Sequence, residues 1–199
     1  IQLPESTMEK DLIRKVSELN QNKKIHGILV QLPLPEHINQ FNVFATVDRN
    51  KDVDGFHPYK LGMLFLGTPI FVPCTPLGIQ ELLMRSGNDP SGKNVVILGR
   101  GNIVGKPLAA LLLQKARGAD ATVTICHTGT KNLNEVTKTG DILVAALGKA
   151  KFVTADMVKP GAVVVDVGIN SIPDSTSGKN KIVGDVDFEQ ASKIASAIT

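Results

Sequence analysis

An α/β protein of two domains, the second built on a parallel sheet of Rossmann type, is the fold class that the sequence predicts, and three observations carry it. Residues 94–107 read N-V-V-I-L-G-R-G-N-I-V-G-K-P: a buried strand, a glycine turn and a helix start in immediate succession. Beyond them, short apolar runs of strand length alternate with helical segments, the pattern of a parallel, doubly wound sheet. Before them, residues 71–76 (F-V-P-C-T-P) form a rigid proline connector between blocks of different composition, which sets domains at 1–74 and 75–199.

In chain order, residues 5–22 carry Met8, Leu12, Val16 and Leu19 as a helical stripe with charges between. Residues 27–32 are an apolar strand that Pro33 and Pro35 end, because proline cannot continue a central ladder. This domain opens on a helix without a strand of its own before it, so it is expected to be incomplete. Residues 38–47 form a short helix, 51–58 (K-D-V-D-G-F-H-P) a loop, and 77–86 the helix that leads into the second domain.

Val95 to Leu98 then suit a parallel strand covered on both faces. Gly99 turns tightly, Gly101 lets the backbone approach a pyrophosphate, and Gly105 lets the next helix pack on the strand with its free N–H groups toward the anion. The spacing has one residue more than G-x-G-x-x-G before the third glycine, so an ordinary strand-to-helix turn competes on the motif alone. Residues 108–113 continue the helix, Gly118 closes it, and 121–126 (A-T-V-T-I-C) complete a β-α-β unit. Residues 142–145, 163–167 and 182–184 are three further strands, and 188–197 a closing helix.

Composition narrows the function. A chain of 199 residues, 42% hydrophobic, with 18 Gly and 11 Pro, is a turn-rich globular protein rather than a disordered one. No apolar stretch approaches the ~20 residues that span a bilayer, so no membrane partner is expected. A net charge of +3, one Tyr and no Trp give little reason to expect nucleic acid. Cys74 and Cys126 lack metal-ligand spacing and are read as free thiols of a reducing compartment, cytosol or organelle matrix. No H-x-x-x-H or C-x-x-C pattern suggests a metal.

The candidate chemistry lies at strand ends, where open parallel sheets bind ligands. An NAD site usually places Asp or Glu after the second strand; here His127 and Thr128 stand, with Arg100 in the glycine turn and Lys131 beyond. The positive balance suits the 2′-phosphate of NADP, with Arg100 its partner and Lys131 a solvated charge. Gln31 ends the 27–32 strand, where a buried amide needs either a backbone partner or a ligand. Asp52 and Asp54 offer two carboxylates, of which at least one is expected to cap its own loop. Asp52 is expected to point away from Asp54 and to tolerate substitution better. His57 could be a surface residue, a substrate contact or neither, and Cys74 is expected to be a small buried residue lining a cleft at the boundary.

G-I-L-V-Q-L-P-L-P, K-D-V-D-G-F-H-P, P-C-T-P-L-G, G-R-G-N-I-V-G-K-P, C-H-T-G-T, K-P-G-A-V-V-V-D-V-G-I-N and V-G-D-V together resemble the bifunctional methylenetetrahydrofolate dehydrogenase/methenyltetrahydrofolate cyclohydrolases across nearly the whole chain. The resemblance implies an N-terminal folate-binding catalytic domain and a Rossmann-like NADP domain. It implies NADP-dependent oxidation of 5,10-methylenetetrahydrofolate, then hydrolysis of the methenyl cation to 10-formyltetrahydrofolate. It places Gln31 and Asp54 as catalytic and folate-site residues, flanked by Val30 and Leu32. It puts Gly99, Arg100 and Gly101 at the cofactor's phosphates and ribose, Thr128 near the 2′-phosphate and Ile169 beside the nicotinamide. A homodimer is implied in the same way, while the cytoplasm, with the organelle matrix as its alternative, is expected from the free cysteines alone. Two departures stand out: Gly101, and often Thr128, occupy positions where the family carries serine. The family's Tyr-x-x-x-Lys segment is expected before Ile1 and its P-G-G-V-G-P segment after Thr199, so the chain is expected to be a piece cut at both ends.

Rival readings are another dehydrogenase, which would need a Y-x-x-x-K or an Arg/His dyad, and a nucleotide-sensing module, which would have no use for Gln31 and Asp54.

Overall fold

A computed structural model describes residues 1–173 and 178–199. The chain divides into two compact units, Ile1–Cys74 and Thr75–Thr199.

In the first unit, α1 (Glu9–Gln21) and α2 (Gln40–Thr46) pack through Val16, Ile28, Ile38, Val43 and Val47. Asn20 joins their ends, donating to the Thr46 carbonyl at 2.7 Å and accepting from the Asp48 amide at 2.9 Å. Lys51 closes the carboxyl end of α1, where unpaired carbonyls favour a cation: its Nζ donates to the carbonyls of Leu19, Asn20 and Asn22. A third helix, α3 (Pro58–Phe65), starts on a proline whose missing N–H is no loss in the first turn. The strand expected over 27–32 does not form. Ile28 alone makes a bridge, parallel to Asp52, the chain bends at Leu32, and a strand exists only where a ladder pairs it.

In the second unit, five parallel strands lie in the order β2-β1-β3-β4-β7: β1 (Asn94–Leu98), β2 (Thr122–Cys126), β3 (Ile142–Ala145), β4 (Val163–Asp166) and β7 (Ala197–Ile198). Alternate side chains feed two cores. Val95, Ile97, Ile142, Val144 and Val165 meet α4 (Cys74–Arg85) and α5 (Gly105–Leu112) through Ile79, Leu83, Leu108 and Leu112. Val96, Leu98, Leu143, Ala145 and Val164 meet Val153, Met157 and Ala191 on the other face. Both faces of β1, β3 and β4 are covered, which is why these strands read as apolar runs, whereas the edge strand β2 leaves Thr122 and Thr124 exposed. A short α6 (Leu133–Thr137) contributes Leu133 and Val136 to the second core.

Two expectations for this unit are corrected. The run at 182–184 is no strand of the main sheet: it falls in β6 (Asn180–Val183), which pairs antiparallel with β5 (Asn170–Pro173). Its residues are mostly exposed, so nothing drives them into a sheet covered on both faces. The closing helix expected over 188–197 is one turn, α7 (Phe188–Ala191). After it the Ser196 amide bonds the Ala162 carbonyl, and Ala197–Ile198 take the open edge of β4. Strand pairing outweighs helix propensity over those residues.

Candidate functional site

Neighbouring strands lie in register so that their carboxyl ends form one row. Leu98 pairs with Cys126 on one side and Ala145 on the other, and Ala145 pairs with Asp166. The strand order reverses between β1 and β3, the switch point at which open α/β sheets bind ligands. Gly99, Arg100 and Gly101 leave the end of β1, Thr128 follows β2, and Ile169 follows β4. The five residues expected at a cofactor therefore share this edge.

The glycine turn is built by close approach. At Gly99 (φ +112°) a Cβ would lie 2.2 Å from the Ala146 carbonyl oxygen, and at Gly105 one would lie 2.2 Å from the Gly99 carbonyl oxygen. Only glycine lets β1, the loop after β3 and the start of α5 come this near. Gly101 has open space where a side chain would stand, so its backbone is free to meet a phosphate. Arg100 and Thr128 are exposed, and Ile169 is 82% exposed, an apolar side chain in the loop that follows β4. The turn after β2 is set by the His127 amide on Thr130 Oγ1 (2.9 Å) and the Gly129 amide on His127 Nδ1 (3.0 Å). Burial pushes the Cys126 thiol up, partly offset by its hydrogen bond to Thr130.

Two aspartates that sequence reasoning missed hold this edge in shape. Asp185 is fully buried, and its carboxylate accepts from the amides of Leu147, Gly148 (2.9 Å) and Lys149 (2.8 Å) and from Asn170 Nδ2 (2.9 Å). Asp166 accepts from the amides of Gly168 (2.9 Å), Asp185 (2.8 Å) and Val186 (2.9 Å). A buried carboxylate is tolerable when N–H donors surround it. The signal was the pairing of glycine with aspartate in D-V-G and G-D-V: Gly168 and Gly184 leave the room that the Asp185 and Asp166 carboxylates fill.

In the first unit, the loop after Lys51 is organised by Asp52, which is 5% exposed. Its Oδ1 accepts from the amides of Asp54 (3.1 Å) and Gly55 (3.0 Å), its Oδ2 from His57 (3.0 Å). Asp52 is thus the capping member of the pair. Capping is the role expected of at least one of the pair, and the hydrogen bonds give it to Asp52. Asn at this position would set a donor against a backbone donor, so Asp52→Asn is expected to cost about 1–3 kcal/mol of stability, read by urea denaturation. An unchanged midpoint would contradict the capping role.

Asp54, held one step on, is half-buried, and among the described residues no hydrogen bond engages its carboxylate. Burial, and after it the Asp52 charge, pushes its carboxyl above the ordinary aspartate value. His57 caps α3, its Nδ1 accepting from the Tyr59 amide at 3.0 Å.

Gln31 departs from expectation. It is exposed, so no desolvation penalty demands a partner, yet its Nε2 donates to the Leu32 carbonyl at 2.9 Å. Oε1 remains for a donor. Val30 and Gln31 line a cavity of about 500 Å³ with Leu12, Val16, Leu19 and Ile28. Neither Leu32 nor Asp54 lines it, and its mainly apolar wall suits side-chain packing better than a polar pterin. Cys74 is exposed, contrary to the buried lining role expected of it, because it opens the first turn of α4. Among the described residues no cluster of His, Cys, Asp or Glu is placed to hold a metal ion, and no helix is long and apolar enough to cross a membrane.

Comparison with known proteins gives two family matches: "Tetrahydrofolate dehydrogenase/cyclohydrolase, catalytic domain" over residues 1–54 and "Tetrahydrofolate dehydrogenase/cyclohydrolase, NAD(P)-binding domain" over residues 73–199. The "Bifunctional protein FolD" of Dehalococcoides mccartyi is 57% identical over 197 residues, 99% of this chain and 67% of that protein. The crystal structure of the bifunctional methylenetetrahydrofolate dehydrogenase/cyclohydrolase FolD from Campylobacter jejuni is 46% identical, with a TM-score of 0.88, over 99% of this chain and 67% of that one. The Trypanosoma brucei enzyme complexed with NADP cofactor and inhibitor is 39% identical, with a TM-score of 0.89, over 100% of this chain and 67% of that one. The chain thus spans about two thirds of the length of these relatives.

Proposed function

The chain belongs to the tetrahydrofolate dehydrogenase/cyclohydrolase family, and from that premise we propose that the loop of Asp52 and Asp54 serves the folate and the carboxyl edge of the parallel sheet serves NADP. The activity is NADP-dependent oxidation of 5,10-methylenetetrahydrofolate to 5,10-methenyltetrahydrofolate, with hydrolysis of that product to 10-formyltetrahydrofolate, in one-carbon metabolism.

The observation that carries the reading is the glycine turn at the switch point. NADP fits it: close approach at Gly99 and Gly105 shapes the turn, and open space at Gly101 admits a phosphate to the backbone. When bound, NADP supplies the hydride acceptor. Arg100 offers a guanidinium to the 2′-phosphate, Thr128 a hydroxyl near it, and Ile169 an apolar surface that keeps water from the nicotinamide. On the folate side, Asp54 accepts two N–H bonds from the 2-amino and ring N–H edge of the pterin, while Val30 and Leu32 flank Gln31. The Gln31 Oε1 accepts from the lysine that the family uses in the hydrolytic step and orients its amine for proton transfer.

Arg100→Ala is expected to weaken NADP about tenfold or more and to leave NAD nearly unchanged, since a charge-assisted phosphate contact contributes about 1.5–3 kcal/mol. Equal loss for both cofactors in fluorescence titrations would remove Arg100 from the 2′-phosphate. The function itself is tested by supplying methylenetetrahydrofolate and NADP and following the absorbance of the methenyl product. Product that forms and then decays faster than its uncatalysed hydrolysis supports both activities, and no NADP-dependent product contradicts the reading.

Two further assignments belong to this reading. The cytoplasm is the compartment proposed, a reading supported by the bacterial source of the relatives and by two free cysteines. It is taken as a homodimer, since β5 and β6 form a separate ribbon with open edges and a 64% exposed Ile182.

A further inference from the structure

We propose that Lys60 is a positioning residue for the folate reaction: its buried ammonium, held between the Asp52 carbonyl and the Phe71 ring, fixes the pose of the Asp54 carboxylate. The inference rests on the assignment of Asp54 to the pterin.

Lys60 stands in the first turn of α3 and is only 2% exposed, which is rare for a lysine. Its Nζ donates to the backbone oxygen of Asp52 and lies 4.2 Å from the centroid of the Phe71 ring. Among the described residues no carboxylate forms an ion pair with it. One carbonyl and one ring face compensate poorly for taking an ammonium out of water, and an apolar side chain of the same length would be as stable here or more so. Stability therefore does not account for the charge.

Its location does. The Asp52 backbone is the hub of the loop: its carbonyl takes Lys60, its side chain takes three amides, and its own amide bonds the Asp48 carbonyl at 2.9 Å. Phe71 belongs to the segment that closes over Gly55, where a Cβ would meet the Phe71 carbonyl oxygen at 3.0 Å and the Pro73 nitrogen at 3.2 Å. Lys60 thus ties the inner wall of the loop to the segment packed against its tip. Asp54 lies between those anchors in sequence, with only its amide fixed by Asp52. Releasing the ammonium frees the Asp52 carbonyl to tilt, and the Asp54 carboxylate moves with it. A two-point contact to a planar edge is sensitive to such a shift.

The test is a double-mutant cycle in the intact protein with Lys60→Met, which keeps the length of the side chain, and Asp54→Asn. NADP titration counts the folded sites, and kinetics are normalised to them. Lys60→Met is expected to raise the methylenetetrahydrofolate KM about fivefold or more, with NADP affinity within about twofold, and to add little in the Asp54→Asn background. Lys60→Arg, which keeps a cation over the ring, should recover most of the loss. An unchanged folate KM in the folded sites, or effects of the two substitutions that simply multiply, would overturn the proposal. If Lys60→Met fails to fold, Phe71→Leu decides: the ring is half-exposed, and its loss is expected to raise the folate KM about threefold, while no change overturns the proposal. Asp54→Asn alone separates the two layers. If it leaves folate kinetics intact, the pterin assignment fails; if it impairs them while Lys60→Met does not, only the positioning role fails.

Discussion

Asp54→Asn is expected to raise the folate KM or lower turnover by about tenfold to a thousandfold while NADP binding stays nearly constant. Asn keeps the size of Asp but places donors where the pterin edge also donates, and it removes the charge that strengthens both contacts. The loop should survive the change, because the bonds that shape it end on the Asp52 carboxylate and not on that of Asp54. Titration adds a second signature. Burial and the Asp52 charge hold the Asp54 carboxyl above the ordinary aspartate value, and the ionised form is the acceptor. Folate affinity should therefore fall as pH drops through that raised value, and the asparagine variant should lose this acid limb. Steady-state kinetics with each substrate varied across pH check both points, and wild-type folate kinetics in the variant would remove Asp54 from the site.

Asp185→Ala should be the most damaging single change in the second unit, at about 3–5 kcal/mol, because it strands three backbone amides and the Asn170 amide away from water. Those amides lie in the turn after β3 and beside Ile169, so the surviving folded protein should also bind NADP more weakly. Urea denaturation gives the first quantity and cofactor titration the second. A loss below about 1 kcal/mol would mean that water replaces the carboxylate.

The parallel sheet was legible because its strands are buried on both faces. Residues 95–98 and 142–145 are apolar without interruption, and no helical periodicity competes for runs so short. The glycine turn was legible because its residue type records a geometric need, visible at Gly99 and Gly105 as space that no side chain could occupy. What failed depended on partners that sequence does not name. The run at 27–32 has the composition of a strand, yet only Ile28 finds a bridge. The run at 182–184 is β-like but exposed, and pairs with β5, whose N-S-I-P gave no signal. Ala197 reads as the end of a helix, and with Ile198 it instead completes an edge.

The site divides in the same way. Residues at strand ends could be picked by position, and the register places Gly99, Arg100, Gly101, Thr128 and Ile169 along one edge, where the proposed cofactor contacts would fall. Residues that bond the backbone could not be picked, since Asp185 and Asp166 accept from amides, and Lys60 donates to a carbonyl, of residues not adjacent to them in sequence. Asp52 shows the limit well: one capping aspartate was expected of the pair, but which one only the hydrogen bonds reveal.

The proposed oxidation passes a hydride directly from the folate methylene carbon to NADP, and isotope tracing reports where that hydrogen goes. With 5,10-methylenetetrahydrofolate deuterated at the methylene carbon, the deuterium that leaves should appear on the reduced nicotinamide in equal amount to the methenyl product. Little of it should reach solvent, because a hydride handed directly to a bound acceptor does not exchange with water. Deuterium released to solvent, or methenyl product formed without NADPH, would contradict the account.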